Sequence, residues 1–356
     1  MSNNLKLKIQ NSELKSNSKL KTQNSKLLIT GGAGYIGSHL VKQLLQTTNN
    51  EIVVLDNLVT GFDKTIRTLQ KIKNFKFINQ DLKEWDKVEK ILNEEKFDTI
   101  VHFAASLIVP ESMENPAKYY LNNTANTTNL ANCAAKSGVK KFIFSSTAAV
   151  YGEPNLKDAI SGIDEEFPKN PINPYGQSKL FSEKIIQDIS KISDMKYVIF
   201  RYFNVAGADK EGIIGQSTKN ATHLIKVAAE TALGKRDKMY IFGDDYDTPD
   251  GTCIRDYIDV DDLAKAHIDA IEYLCYNNSN IFNVGYSKGY SVKEVIETMK
   301  KVSGNDFKVE IAPKRAGDPA LLISDNSKIK KEMNWQPKYD NLELICKKAL
   351  EWEKMI

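Results

Sequence analysis

Little in this sequence points to a metal, a disulfide framework or a membrane. Its 356 residues include only four cysteines and four histidines. Cys133, Cys253, Cys275 and Cys346 lie far apart with no paired spacing, which argues against a disulfide scaffold and predicts reduced thiols in a cytoplasmic protein. His39, His102, His223 and His267 are equally scattered, so no metal site is expected. An excess of one charge is missing too. The formal net charge of +3 is spread along the chain and offers no basic patch for nucleic acid or an anionic membrane. No apolar run is long enough for a signal peptide or a membrane span. That holds even in residues 1–25, where a loose Asn/Ser/Lys repeat (NSELK, SNSKL, NSKL) reads as a flexible tail.

What is present begins at residues 30–37, TGGAGYIG, which directly follow the apolar run Lys26-Leu27-Leu28-Ile29. Gly31, Gly34 and Gly37 therefore sit at a turn between a first strand and a first helix. They suit, in order, a tight turn, a close approach of backbone to a pyrophosphate, and tight helix–strand packing. The helix start adds free amides and a positive dipole end. A second strand at 51–55 ends in Asp56, placed where a carboxylate bonds both ribose hydroxyls and repels a 2′-phosphate, so NAD is expected rather than NADP.

From Lys26 onward, strands expected at 26–30, 51–55, 75–79, 99–103, 141–146 and 197–202 alternate with helices at 35–47, 63–72, 84–94, 116–137 and 175–192. Such alternation specifies an α/β protein with a Rossmann-type, doubly wound parallel sheet. After Asn204 the elements shorten. The expected division is an NAD-binding Rossmann domain over 26–204 and a smaller C-terminal substrate-binding α/β lobe over 205–356. Segments near 253–284, with a helix at 261–274 and a strand at 281–284, are expected to return to the larger domain.

The second chemical signal is Tyr175-Gly176-Gln177-Ser178-Lys179 at a helix start. One helical turn separates tyrosine from lysine, so both project from one face. A free phenol, with a pKa of about 10, is a poor base at neutral pH. An ammonium beside it, with a positive nicotinamide ring, favours the phenolate. Ser145-Ser146-Thr147 ends the preceding strand and brings hydroxyls to the sheet edge.

TGGAGYIG, Asp56-Asn57, HFAA (102–105), SSTAAVYG (145–152), YGQSK (175–179), RYFNVAGA (201–208) and RDYIDVDDLA (255–264) together resemble the extended short-chain dehydrogenase/reductase family. Within it, order and spacing are most similar to those of the UDP-glucose 4-epimerases, from Lys26 to the C-terminus. The resemblance implies NAD-dependent interconversion of UDP-galactose and UDP-glucose, with Thr147, Tyr175 and Lys179 as the catalytic residues. Tyr175 would take the proton of the sugar 4-hydroxyl while carbon 4 gives a hydride to NAD, and Lys179 would hold the nicotinamide ribose. The 4-keto sugar would then turn over and take the hydride back on its other face.

Cofactor contacts carried over from the family fall on Gly31, Gly34, Tyr35, Ile36, Gly37, Asp56, Asn57, Asp81, Leu82, Phe103, Ala104, Ala105, Asn122, Ser145, Tyr175, Lys179 and Tyr202. Substrate contacts fall on Thr147, Tyr175, Asn204, His223, Leu224, Tyr240, Phe242, Arg255, Arg315, Asp318 and Leu322. The two arginines suit a diphosphate, whose oxygens a planar guanidinium binds in bidentate fashion. There are two departures. Leu107 replaces a lysine of several members, and Leu322 stands where UDP-glucose-specific members carry tyrosine. A shorter side chain at 322 leaves room for a 2-acetamido group, which extends the expected substrates to UDP-N-acetylglucosamine and UDP-N-acetylgalactosamine.

The alternative within the family is a nucleotide-sugar 4,6-dehydratase. Such enzymes place acidic residues after the threonine, where this chain has Ala148-Ala149. A non-catalytic dinucleotide-binding protein would lack the tyrosine or the lysine, and both are kept. The family also implies a homodimer formed by the helices near 116–137 and 175–192, with Ala131, Ala134 and Ala135 as candidate bundle residues.

Overall fold

The computed structural model describes residues 25–155, 159–218, 221–315 and 317–356. The tail expected over 1–25 therefore lies, except for Ser25, outside the described residues. Strands β1 (Lys26–Thr30), β2 (Glu51–Asp56), β3 (Lys76–Asn79), β4 (Thr99–His102), β5 (Lys141–Ser145) and β6 (Lys196–Tyr202) are apolar runs, as strands covered by helices on both faces must be. Only β3, at the sheet edge, is half exposed. With β10 (Asn280–Val284) they form one seven-stranded parallel sheet in the order β10-β6-β5-β4-β1-β2-β3. Leu28 at its centre stands opposite Val53 on one side and Ile100 on the other. The order reverses between β1 and β4, and that switch opens a crevice at the carboxyl ends of the strands.

Helices α1 (Tyr35–Thr47), α2 (Asp63–Gln70), α3 (Trp85–Glu95), α4 (Val109–Glu114), α5 (Pro116–Tyr119), α6 (Asn126–Lys136) and α7 (Pro174–Lys191) connect these strands. The single helix expected over 116–137 is interrupted by a π-helical stretch, Tyr120–Ala125, between α5 and α6. The stretch turns Asn123 inward, where its Nδ2 donates to Ser178 Oγ and to the Ser106 carbonyl, both at 3.0 Å. Ala131 and Ala134, expected at a bundle face, instead pack fully buried in the core with Val88, Leu92 and Phe142.

Past residue 203 the architecture changes. β7 (Asn204–Ala206), β9 (Ile254–Asp259), β11 (Gly289–Ser291) and β13 (Leu321–Leu322) form a second sheet in which β9 pairs with each of the others. β8 (Met239–Phe242) and β12 (Val309–Ala312) make a separate parallel pair. Helix α9 (Val260–Tyr276) packs on α1 and the large sheet, so α9 and β10 sit with the first sheet while β9 is the spine of the second. Helices α8 (Leu224–Ala232), α10 (Val292–Ser303) and α12 (Leu342–Met355) pack on one another, and α11 (Ser327–Met333) lies against β10. No helix among the described residues is long and apolar enough to cross a membrane.

Candidate active site

At the end of β1, Gly31 adopts φ +75°, and a Cβ on it would lie 2.7 Å from the Ala104 amide nitrogen. A Cβ on Gly37 would lie 2.3 Å from the Gly31 carbonyl oxygen. Backbone alone closes this turn. Gly34, just before α1, gives no side-chain cap, and the first turn of the helix carries no acid. Because first-turn amides have no intrahelical partners, α1 presents them to an anion. The expected contact Tyr35 is partly committed, since its hydroxyl donates to the Gly207 carbonyl at 2.7 Å and ties α1 to the chain after β7. Ile36 packs half-buried against the core beside it.

Asp56 ends β2 with Oδ2 accepting from the Ala33 amide (3.0 Å) and Oδ1 from the Leu58 amide (2.8 Å). Each oxygen keeps a lone pair for a ribose hydroxyl. Burial raises this carboxyl above its ordinary range, with the two amides opposing. At the end of β3, Asp81 accepts from Asn57 (2.9 Å) and from the Lys83 amide (2.9 Å). Burial disfavours its charge, yet those bonds outweigh it and hold the carboxyl below its usual range. Leu82 is buried in the core beneath. Phe103, Ala104 and Ala105 carry β4 into the crevice, and Asn122 donates to Ser106 Oγ at 3.0 Å. Glycines that tolerate no Cβ, an uncapped helix start and an acid with spare lone pairs fit a dinucleotide.

The three residues expected to be catalytic meet at the start of α7. Asn173 caps it by accepting from the Gly176 amide at 2.8 Å, and Pro174 occupies its first turn. A Cβ on Gly176 would lie 2.6 Å from the Ala149 carbonyl oxygen, so α7 presses on the 3-10 turn Ala148–Tyr151 that follows Thr147. Thr147 Oγ accepts from the Ala149 amide at 3.1 Å, and its hydroxyl lies near enough to the Tyr175 phenol to lower its pKa. One turn on, Lys179 Nζ donates to the Ser145 carbonyl at 2.8 Å and lies 4.8 Å from the centre of the Phe144 ring. Tyr202 faces the same strand end, where Ser145 is its polar neighbour.

Lys179 is 4% exposed and pairs with no carboxylate among the described residues. Burial pulls its ammonium down to about 7, with the charge of Glu183 opposing. In the protein alone, burial raises the Tyr175 phenol above its ordinary value, and the Thr147 hydroxyl is what works the other way. Lys179 is not among the causes that shift this phenol in the protein alone, and the expected lowering requires the nicotinamide charge as well. The buried surroundings dominate.

Three of the expected substrate contacts lie on neighbouring strands of the second sheet. Asn204 on β7 stands opposite Tyr257 of β9, and Leu322 on β13 stands opposite Arg255 of β9. Asn204, His223 and Leu224 line one cavity together with Gln216 and with Trp352 of α12. His223 Nδ1 lies 2.8 Å from Gln216 Nε2, and burial lowers its pKa. Arg255 Nη1 donates only to carbonyls, those of Ile254 (2.9 Å) and Ala320 (3.4 Å). The Arg315 guanidinium stacks 3.5 Å from the centre of the Phe242 ring. Burial lowers its pKa, with the charge of Asp318 opposing. Neither arginine forms an ion pair among the described residues, an arrangement that leaves both for an external anion. Tyr240 is 40% exposed at the rim. Leu322 is buried with Ala148, Tyr151 and Phe203, behind the turn that carries Thr147. Leu107 is exposed.

One pair escaped the reading of the sequence. Glu183 and Arg201 form a buried bidentate bridge directly behind Lys179. The four-residue steps Tyr175, Lys179, Glu183 were a usable signal for the first partner.

A family model described as GDP-mannose 4,6 dehydratase matches residues 28–348. The UDP-glucose 4-epimerase of Azospirillum brasilense is 43% identical over 332 residues, covering 93% of this chain and 92% of that one. Among solved structures, the UDP-Glc/GlcNAc 4-epimerase from Campylobacter jejuni superimposes with a TM-score of 0.82 at 60% identity, covering 94% of this chain and 100% of the other. The UDP-glucose 4-epimerase from Bifidobacterium longum, solved in complex with NAD+ and UDP, gives a TM-score of 0.87 at 36% identity, covering 93% and 98%. On these matches and this fold, the chain belongs to the extended short-chain dehydrogenase/reductase family, in its UDP-glucose 4-epimerase branch.

Proposed function

We propose that this chain is an NAD-dependent 4-epimerase that interconverts UDP-galactose and UDP-glucose and also accepts the corresponding 2-acetamido sugars. The observation that carries this reading is the meeting of Thr147, Tyr175 and Lys179 at the carboxyl end of a dinucleotide-type sheet. Bound NAD supplies the hydride acceptor for sugar carbon 4, returns the hydride, and adds a positive charge. The chain supplies the rest. Thr147 and Tyr175 bind the 4-hydroxyl oxygen and pass its proton to the phenolate, and Lys179 supports that charge from one turn away. Arg255 and Arg315 anchor the diphosphate, so the sugar can turn about its link to the phosphate while the nucleotide stays bound.

A 4,6-dehydratase, as in the description of the family model, needs an acid after the threonine, and the turn after Thr147 offers Ala148 and Ala149. The acetamido extension rests on Leu322, packed behind that turn, and is supported by the dual sugar name of the Campylobacter jejuni relative. We further take the working unit as a cytoplasmic homodimer. Leu121 and Phe181 are 66% and 46% exposed on the helical stretches 116–136 and 174–191, which favours a second copy on that face.

The test uses purified protein with no added cofactor, offered UDP-galactose and UDP-N-acetylgalactosamine separately, with products resolved by NMR. Conversion of both is expected. Leu322→Tyr should lower turnover of the acetamido sugar about tenfold or more and spare the plain one. Equal losses on both sugars would reject the role given to Leu322. No reaction of either sugar, even after NAD is supplied, would reject the epimerase reading.

A further inference from the structure

Tyr175, Lys179 and Glu183 follow one another at intervals of four on α7, so a third titratable side chain stands on the same face, one turn deeper. Glu183 is fully buried, and its carboxylate is shared. Arg201 of β6 donates to it from Nη2 (2.7 Å) and Nε (3.1 and 3.3 Å), while Ser146 Oγ donates to Oε1. Ser146 stands between Ser145, whose carbonyl receives Lys179, and Thr147, the polar neighbour of the Tyr175 phenol. The carboxylate therefore bolts the end of β5 to α7 at the point where the catalytic groups must keep their spacing.

The charges around this bolt are few. From β4, His102 faces Lys179 but is held neutral, burial taking it to about 3. From β6, Arg201 and Tyr197 face Glu183, and Lys169 faces it from the segment before α7. Among the described residues, Glu183 is the only acid that acts on Lys179.

We infer that Glu183 is a positioning residue for the reaction: through Ser146 it holds Thr147 and Ser145 in register with Tyr175 and Lys179, and it sets a negative charge one helical turn from Lys179 on the same face. The inference rests on the epimerase reading for its consequence in turnover, but its electrostatic part does not depend on that reading.

Two variants separate the mechanical role from the electrical one. Ser146→Ala removes the bolt and keeps the charge, so turnover should fall about three- to tenfold while the alkaline limb of its pH profile stays in place. Glu183→Gln keeps an acceptor for Ser146 and removes the charge. The amine form of Lys179 then gains, so the alkaline limb should move to lower pH by about half a unit or more. The same shift should be seen without substrate, by NMR titration of 13Cε-labelled lysine with Lys179→Arg identifying the resonance. Should Glu183→Gln not fold, Glu183→Asp keeps the charge but draws it back by one methylene, and should move the Lys179 midpoint in the same direction by a smaller step. A midpoint that coincides with the parent in whichever variant folds would make Glu183 a structural ion pair and overturn the inference. Failure of the parent to convert either UDP-sugar would instead count against the epimerase reading, leaving the NMR midpoint as the test of this one.

Discussion

Arg201 and Lys179 are both buried cations, and they serve opposite ends of the same interior. Arg201 is paired. It holds Glu183 with Nε and Nη2 and gives its two Nη1 hydrogens to Tyr151 Oη and the Glu165 carbonyl, each at 3.1 Å. Lys179 has a carbonyl and an aromatic ring but no carboxylate. Arg255 and Arg315 repeat the second pattern in the other half of the crevice. Desolvating a cation without pairing it is costly, and proteins retain such groups where a ligand brings the missing charge. Paired cations here build the scaffold, and unpaired ones line the crevice.

Breaking the paired side should cost stability first. Arg201→Met leaves Glu183 buried without its cation and should lower unfolding free energy by about 3–5 kcal/mol in urea melts. Breaking the unpaired side should do the reverse. Lys179→Met should cut turnover about a hundredfold or more without lowering stability, because it removes an unfavourably buried charge. pH sharpens this contrast. The folded pKa of Lys179, about 7, lies below its ordinary value of 10.5, so the unfolded chain binds more protons between them. The parent therefore regains stability from this group as pH rises from about 7 toward 10.5, and the margin by which Lys179→Met exceeds it should shrink over that window. Melts that diverge as pH rises would contradict the burial argument. The smallest effect is expected at the rim of the anion site. Arg315→Ala should raise KM for the UDP-sugar about tenfold, the loss of a charge-assisted hydrogen bond, with kcat largely kept.

Much of the scaffold was legible in the sequence because it is local. The helix expected at 35–47 is α1 with the same limits, and the strands expected at 26–30 and 51–55 are β1 and β2, the latter one residue longer. Glycine spacing and uninterrupted apolar runs act within a few residues, so they survive any tertiary context. The π-helical stretch Tyr120–Ala125 was not legible. It depends on where Asn123 finds Ser178 and Ser106, partners supplied by other parts of the chain. The role of β9 as spine of the second sheet was likewise hidden, since its partners β7, β11 and β13 are spread from residue 204 to residue 322.

What the sequence by itself determined is the identity and order of the groups we assign to the reaction: a glycine-rich turn, Asp56, a hydroxyl at the end of β5, and Tyr175 one helical turn from Lys179. What only the tertiary structure decided is the electrical state of those groups. The phenol of Tyr175 is raised rather than lowered, Lys179 is drawn to about 7, and Glu183 is tied to an arginine 18 residues away. Residue type sets which protons can move. Burial and the placing of distant partners set how readily they move, and both arise only when the chain has closed around them.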